Sequence, residues 1–449
     1  MSNHFTHTQS QLRELADRAI TLARTRGASS AQVMLSESNG LSIGMRQQRL
    51  TSRTQYSNSS MSVTVFRGNH QGTTSTTDFS ISGIKEMVSA AIDIASHTGE
   101  DSFSGLADAR YYSQLTQNLD IYHPWEIDEK ASIKMAIEIE HGISSCGSEV
   151  VSDGVWINKG HYQFNLMNSH GFTGGALYSN HSIAAQALAN RNGNSQIDYW
   201  SSVSCSPDLL MPTDCLGIKA GGIALAFLNS KPLLTNVRCP VLFMPQASMT
   251  LLYHFVQATS GALLYNNNSF LAGKLGEAVF NRHVTLQEDP FIPRGLASRL
   301  FDGDGISGKK RNIIENGYLN GYFLSAYAAR RLDMEPTGNG WGPGNLSLTS
   351  SLTSNKDDFI GMLKKLDNGL VIHEFTGGEP NMMTGDYSRS LRGFWVENGE
   401  IKHAVNGITI ASNLVDMYQG IIAIGNDRYT QGGLTTGSVL IDNIQVSGR

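Results

Sequence analysis

Thr8-Gln9-Ser10-Gln11-Leu12-Arg13-Glu14-Leu15-Ala16-Asp17-Arg18-Ala19-Ile20-Thr21-Leu22-Ala23 is followed, after Gly27, by Ala31-Gln32-Val33-Met34-Leu35, and the change of period between them decides the fold class. Thr8 and Gln11 have capping-box spacing, and Leu12, Leu15, Ala16, Ala19, Ile20 and Ala23 share one helical face. Gly27 is a helix stop. Beyond it the apolar residues alternate: Val33 with Leu35, then Leu41, Ile43 and Met45, then Met61, Val63 and Val65. Asn39-Gly40 and Gly68-Asn69 are two-residue hairpin signals, so they predict a meander. A second helix is predicted from about Ser82 to His97, burying Ile84, Met87, Val88, Ala91 and Ile94.

Tyr111 to Trp125 is polar and aperiodic and reads as a linker. A third helix holds Ile133, Ile137 and Ile139, and short strands are predicted around 155–158, 163–167 and 199–203. A fourth helix runs from Leu216 to Leu228. From Val237 an apolar strand leads into a helix near Ala247–Gln257, then into Gly-punctuated strands. No repeat of solenoid period is visible. Irregular alternation of helices with antiparallel-looking strands points to α+β rather than a doubly wound fold. The expected units are 30–98, 123–230 and 237–449, the first two mixed α/β and the third β-rich and barrel-like.

Composition excludes several functions. Lys plus Arg is 34 against 39 Asp plus Glu, a net charge of −5, and the densest basic cluster is Lys309-Lys310-Arg311. A nucleic-acid protein normally carries a basic stripe. The start, Met1-Ser2-Asn3-His4, lacks the apolar core of a signal peptide. Runs such as 223–228 fall far short of the ~20 apolar residues of a membrane span. Cys146, Cys205, Cys215 and Cys239 are scattered and suggest reduced thiols. A cytoplasmic protein that binds neither nucleic acid nor membrane is expected.

Local motifs carry little chemistry alone. His373-Glu374 lacks the second histidine of His-Glu-x-x-His, because Gly377 stands there, and a strand-end role is expected. Asp302-Gly303-Asp304-Gly305 departs from a calcium loop at Ile306, Ser307 and Ile313 and reads as a turn. Gly338–Gly344 lacks a basic residue and reads as a flexible loop. No nucleophile elbow, Walker loop or dinucleotide fingerprint is present. His254, on the apolar helix Leu251–Thr259, is by itself a packing residue.

Longer runs carry more. Asn268-Ser269-Phe270-Leu271, Gly295-Leu296-Ala297-Ser298, Thr384-Gly385-Asp386-Tyr387-Ser388-Arg389 and Gly393-Phe394-Trp395-Val396-Glu397-Asn398-Gly399-Glu400-Ile401 resemble the TldD/PmbA peptidase family. Order and spacing agree from about residue 30 onward. The resemblance implies a cytoplasmic two-subunit zinc peptidase that cleaves unfolded peptides and matures peptide precursors. The older family label, modulator of DNA gyrase, finds no support in the charge pattern. The zinc motif of the TldD branch is His-Glu-x-x-x-His, completed by a cysteine near the C-terminus. Mapped here it falls on His254, Phe255 and Thr259, and no cysteine follows Cys239. A catalytic zinc needs three ligands and a place for water, and Phe255 also removes the general base.

The resemblance therefore implies the zinc-less branch: no catalytic residue or metal in this chain, with zinc in a TldD-type partner subunit. Asp386, Tyr387 and Arg389 are the candidate peptide contacts, since a polar run between glycines suits a loop; the alternative is a turn held by the Asp and Ser side chains. A non-catalytic, homodimeric binding or regulatory protein is the competing expectation.

Overall fold

The computed structural model describes residues 4–233 and 236–448. Met1–Asn3, part of the polar start, and Arg449, the end of the third expected unit, lie outside them. The first helix, α1 (Gln9–Thr25), begins as its sequence predicts: Thr8 accepts from Gln11 N, and the Gln11 side chain returns the bond to the Thr8 backbone. Leu12, Ala16, Ala19, Ile20 and Ala23 are its buried face.

The meander is longer than the alternation suggests. Asn39-Gly40 makes no turn; β1 (Ser30–Arg46) runs straight through it and pairs along its length with β2 (Arg49–Arg67). The alternation on either side keeps the same parity, so the strand has no reason to break. The actual turn is Gln47-Gln48, both with positive φ. Gly40 serves close approach instead: a Cβ there would lie 2.2 Å from the Lys159 carbonyl oxygen and 2.4 Å from the Tyr56 hydroxyl. Gly40→Ala is therefore expected to cost about 1–3 kcal/mol by forcing these strands apart. Denaturant unfolding checks it, and an unchanged midpoint would show that the sheet yields freely. Gly68-Asn69 does make the predicted hairpin into β3 (His70–Thr76).

Helix α2 (Ile81–His97) buries Ile84, Met87, Val88 and Ala91 as expected. Its last contact is Ala95, however, and Ile94 is exposed, because it sits ~100° around the helix from Ala95, off the buried stripe. Tyr111–Trp125 crosses to α3 (Glu129–Ser144) without extended secondary structure, pinned by the Tyr112–Ile306 bridge. The strands predicted at 155–158 and 163–167 are one strand, β4 (Val150–Asn168), which pairs with β1. β5 (Thr173–Arg191), unforeseen from sequence, and β6 (Asn194–Ser204) complete one antiparallel sheet, order β3-β2-β1-β4-β5-β6. The first two expected units thus share a sheet. One face carries two helix pairs: α1 and α2 at one end, α3 and α4 (Thr213–Phe227) at the other.

The C-terminal half is a closed barrel. β7 (Asn236–Phe243) lies between β8 (Gly369–Gly377) and β11 (Val439–Ser447). β9 (Asp386–Glu397) and β10 (Glu400–Asn413) follow β8, and β10 pairs back onto β11. Five strands therefore close without a free edge inside the ring. Val241, Phe243, Leu370, Ile372, Leu391, Ile410 and Ile441 belong to the main core. A second sheet, built around Val284–Asp289 and Asn345–Ser350, extends this core. The architecture is α+β, mixed α/β regions leading into a β-rich barrel, as the pattern implied.

The halves are strapped by arginines. Arg330 donates to the carbonyls of Phe103 (2.7 Å), Gly105 (2.9 Å) and Leu106 (3.2 Å), and Arg294 pairs with Asp120 at 2.6 Å. The Gly338–Gly344 segment is anchored rather than flexible. Asn339 accepts from Arg311 (2.9 Å) and Thr337 (2.6 Å) and donates to the buried Glu288 (2.7 Å).

Candidate functional site

Helix α5 (Pro245–Ala258) starts with proline at its first turn, where a missing N–H costs nothing. Its 3.6-residue period sorts two stripes. Ser248, Leu251, Leu252 and Phe255 enter the core, while Gln246, Ala247, Met249, Thr250, Tyr253 and His254 line a cleft. The cleft holds about 480 Å³. Its other walls come from β6, from β8 with the turn after it, from β9, and from Tyr429, Gln431 and Leu434. It therefore lies between the large sheet and the barrel.

The mapped zinc positions separate around α5. His254 is 1% exposed and faces the cleft. Phe255 is fully buried in the core, edge-on to Phe280 and Tyr418 at 5.4 and 6.1 Å between ring centres. Thr259 is also fully buried, and its hydroxyl donates to the Phe255 carbonyl at 2.7 Å. The titratable neighbours of His254 are the Glu379 carboxylate, 3.6 Å from Nε2, and Arg389, a cation. A zinc ion does not fit this set: one imidazole, one exposed carboxylate and a nearby positive charge are not three converging ligands.

Of the candidate peptide contacts, the structure brings two together. The run lies on β9, not in a loop, so Tyr387 and Arg389 share the inner face while Asp386 points outward. Asp386 accepts from Thr384 at 2.7 Å, which is the turn role weighed above. Tyr387 is edge-on to His254 at 5.9 Å. Arg389 lies on the Phe375 ring at 4.2 Å, donates from Nε to Gly378 O at 2.8 Å, and lines the cleft. Burial raises the Tyr387 phenol to about 12, with Arg389 opposing.

The opposite wall joins His373-Glu374 to Asp198, a residue that sequence reasoning missed. Asp198, His373 and Glu374 put ligand atoms within 4.8 Å of one another, the one such trio among the described residues. Arg392 already occupies it, hydrogen-bonded to Asp198 at 2.5 Å and ion-paired with Glu374 at 2.8 Å. His373 lies 3.4 Å from Asp198, so His373-Glu374 is part of a charged strap between barrel and sheet. No local motif could signal Asp198, which is far away in the chain. Asp302 is a turn residue as expected, accepting from the amides of Asp304, Ile306 and Gly340 at 2.7–3.0 Å. Burial raises its carboxyl to about 6.

Burial pushes His254 down to about 4, Arg389 adds to this, and Glu379 opposes it. The folded value lies below the ~6.5 of a free imidazole, so the unfolded chain binds the extra proton between these values. This contribution to stability is complete above pH ~6.5 and is lost as pH falls towards 4. His254→Asn should therefore weaken the acid dependence of stability by one proton over that window. Denaturant unfolding at pH 7 and 4.5 measures it; identical slopes for both proteins would contradict it.

Three family domains match the chain: PmbA/TldA metallopeptidase domain 1 over residues 31–95, the central domain over 122–228 and the C-terminal domain over 236–448. Metalloprotease PmbA of Escherichia coli O157:H7 is 32% identical over 439 residues, covering 98% of this chain and 96% of that protein. The Haemophilus influenzae PmbA homologue is 32% identical over 441 residues, 98% and 97% of the two chains. A Bacteroides thetaiotaomicron protein described as a modulator of DNA gyrase superposes with a TM-score of 0.92 at 25% identity, covering 97% and 99%. TldE from Thermococcus kodakarensis shares the fold, with a TM-score of 0.83 at 18% identity and coverage of 97% and 100%. The architecture and these matches define a metallopeptidase-family hydrolase. The chain belongs to the PmbA/TldD family. No helix among the described residues is long and apolar enough to cross a membrane.

Proposed function

We propose that this chain is the zinc-free subunit of a two-subunit cytoplasmic metallopeptidase. It pairs with a TldD-type subunit, which carries the zinc, and it helps to hold an unfolded peptide or peptide precursor. The observation that carries this reading is the lone His254: it faces a cleft while Phe255 and Thr259 turn into the core. A subunit built this way contributes surface rather than a metal-activated water. The cleft suits an extended chain, since β6, the edge strand of the large sheet, lines it and Arg389 stands on the barrel side. Strand-like backbone pairing with side-chain pockets is a common way to hold such a peptide.

Metal analysis of the purified chain tests the zinc half of this reading. After dialysis it should retain well under one zinc per chain. One tightly held zinc per chain would overturn it.

A further inference from the structure

Arg389 is a buried cation with incomplete pairing. It is 8% exposed, and its one close hydrogen bond among the described residues is from Nε to Gly378 O. Its Nη2 faces Glu379 Oε1 at 3.6 Å, beyond the 2.7–2.9 Å of a charge-assisted hydrogen bond. The same Glu379 presents Oε2 to His254 Nε2, also at 3.6 Å. Glu379 is itself 75% exposed. One further group in this corner, His254 Nδ1, lacks a hydrogen-bond partner among the described residues and is nine-tenths or more buried, while the equally buried Tyr387 hydroxyl lies against Arg389 and Thr250. A buried guanidinium without a close counter-ion is costly, and its planar fork matches a carboxylate.

The other charges lining the cleft are compensated. Asp198 and Glu374 both pair with Arg392 on the far wall. The uncompensated charge lies at the Arg389 corner, where one loosely placed carboxylate stands 3.6 Å from both Arg389 and His254. The geometry points to a carboxylate-binding site at Arg389, with Glu379 as a tethered stand-in that swings out when a peptide carboxylate enters. The inference rests on the peptide-holding role proposed above and adds the chemical class recognised. A C-terminal α-carboxylate and an Asp or Glu side chain supply the same group.

Fluorescent peptides of equal length separate these sources on the full chain. One has a free C-terminus and no acidic side chain, one has an amidated C-terminus and a single internal Glu, and one is amidated without acid. At least one acidic peptide should bind about tenfold tighter than the neutral one, and the tighter of the two identifies the source. Glu379→Gln should tighten that peptide several-fold by removing the internal competitor, and Arg389→Met should abolish its advantage. Equal binding of all three peptides would overturn the carboxylate site and leave peptide holding intact. An acidic preference that Glu379→Gln leaves unchanged or weakens would overturn the stand-in. No binding by any peptide would remove the peptide-holding role and this inference together.

Discussion

The double variant Phe255→Glu, Thr259→His is expected to lose stability instead of gaining zinc chemistry. In sequence it restores two positions of the mapped motif. In the structure Phe255 is fully buried against Phe280 and Tyr418, and a carboxylate placed there has no partner. Loss of the ring alone costs about 3–5 kcal/mol, and the buried charge adds to it. Thr259 is likewise fully buried, with its hydroxyl committed to a backbone carbonyl, so an imidazole overfills its site. Against a typical ~5–15 kcal/mol of total stability this is severe. Thermal unfolding should start ~5 °C or more lower, with no chelator-sensitive hydrolysis. A variant that unfolds at the parental temperature and cleaves peptide would show that the motif positions are not structurally committed.

How much of this was legible in sequence depended on periodicity. The helices announced themselves through caps and apolar faces, and Thr8 with Gln11 placed the first start to the residue. β5 was hidden because, apart from Ile183, its buried positions are Ser179, His181, Ala185, Ala187 and Ala189, small or polar residues that give no strong alternation. Asn39-Gly40 misled because glycine can serve a turn or a close approach, and only the neighbouring strand decides which. The barrel closure joins Asn236–Phe243 to Val439–Ser447, and pairing at that separation leaves no local trace. The cleft follows the same rule. His254, Tyr387 and Arg389 could be singled out from runs shared with a family, whereas Asp198, Arg392 and Glu379 join the site through tertiary packing alone. The same strand register that unites Tyr387 with Arg389 separates both from Asp386, and register cannot be read from a run of residues.

The second large effect concerns assembly. A chain that supplies surface but no metal-bound water should have no peptidase activity alone, and activity should appear when the TldD-type subunit is added. A durable pair should bury ~1,600 Å² or more, giving one heterodimeric peak on size exclusion. Chelator should abolish the activity of that peak. The most direct measurement is peptide hydrolysis by the mixed subunits with one change at a time. Substituting the zinc ligands of the TldD-type subunit should remove activity, and His254→Ala in this chain should leave most of the turnover. Loss of turnover with His254→Ala while the heterodimer still forms, or hydrolysis by this chain alone, would contradict the account.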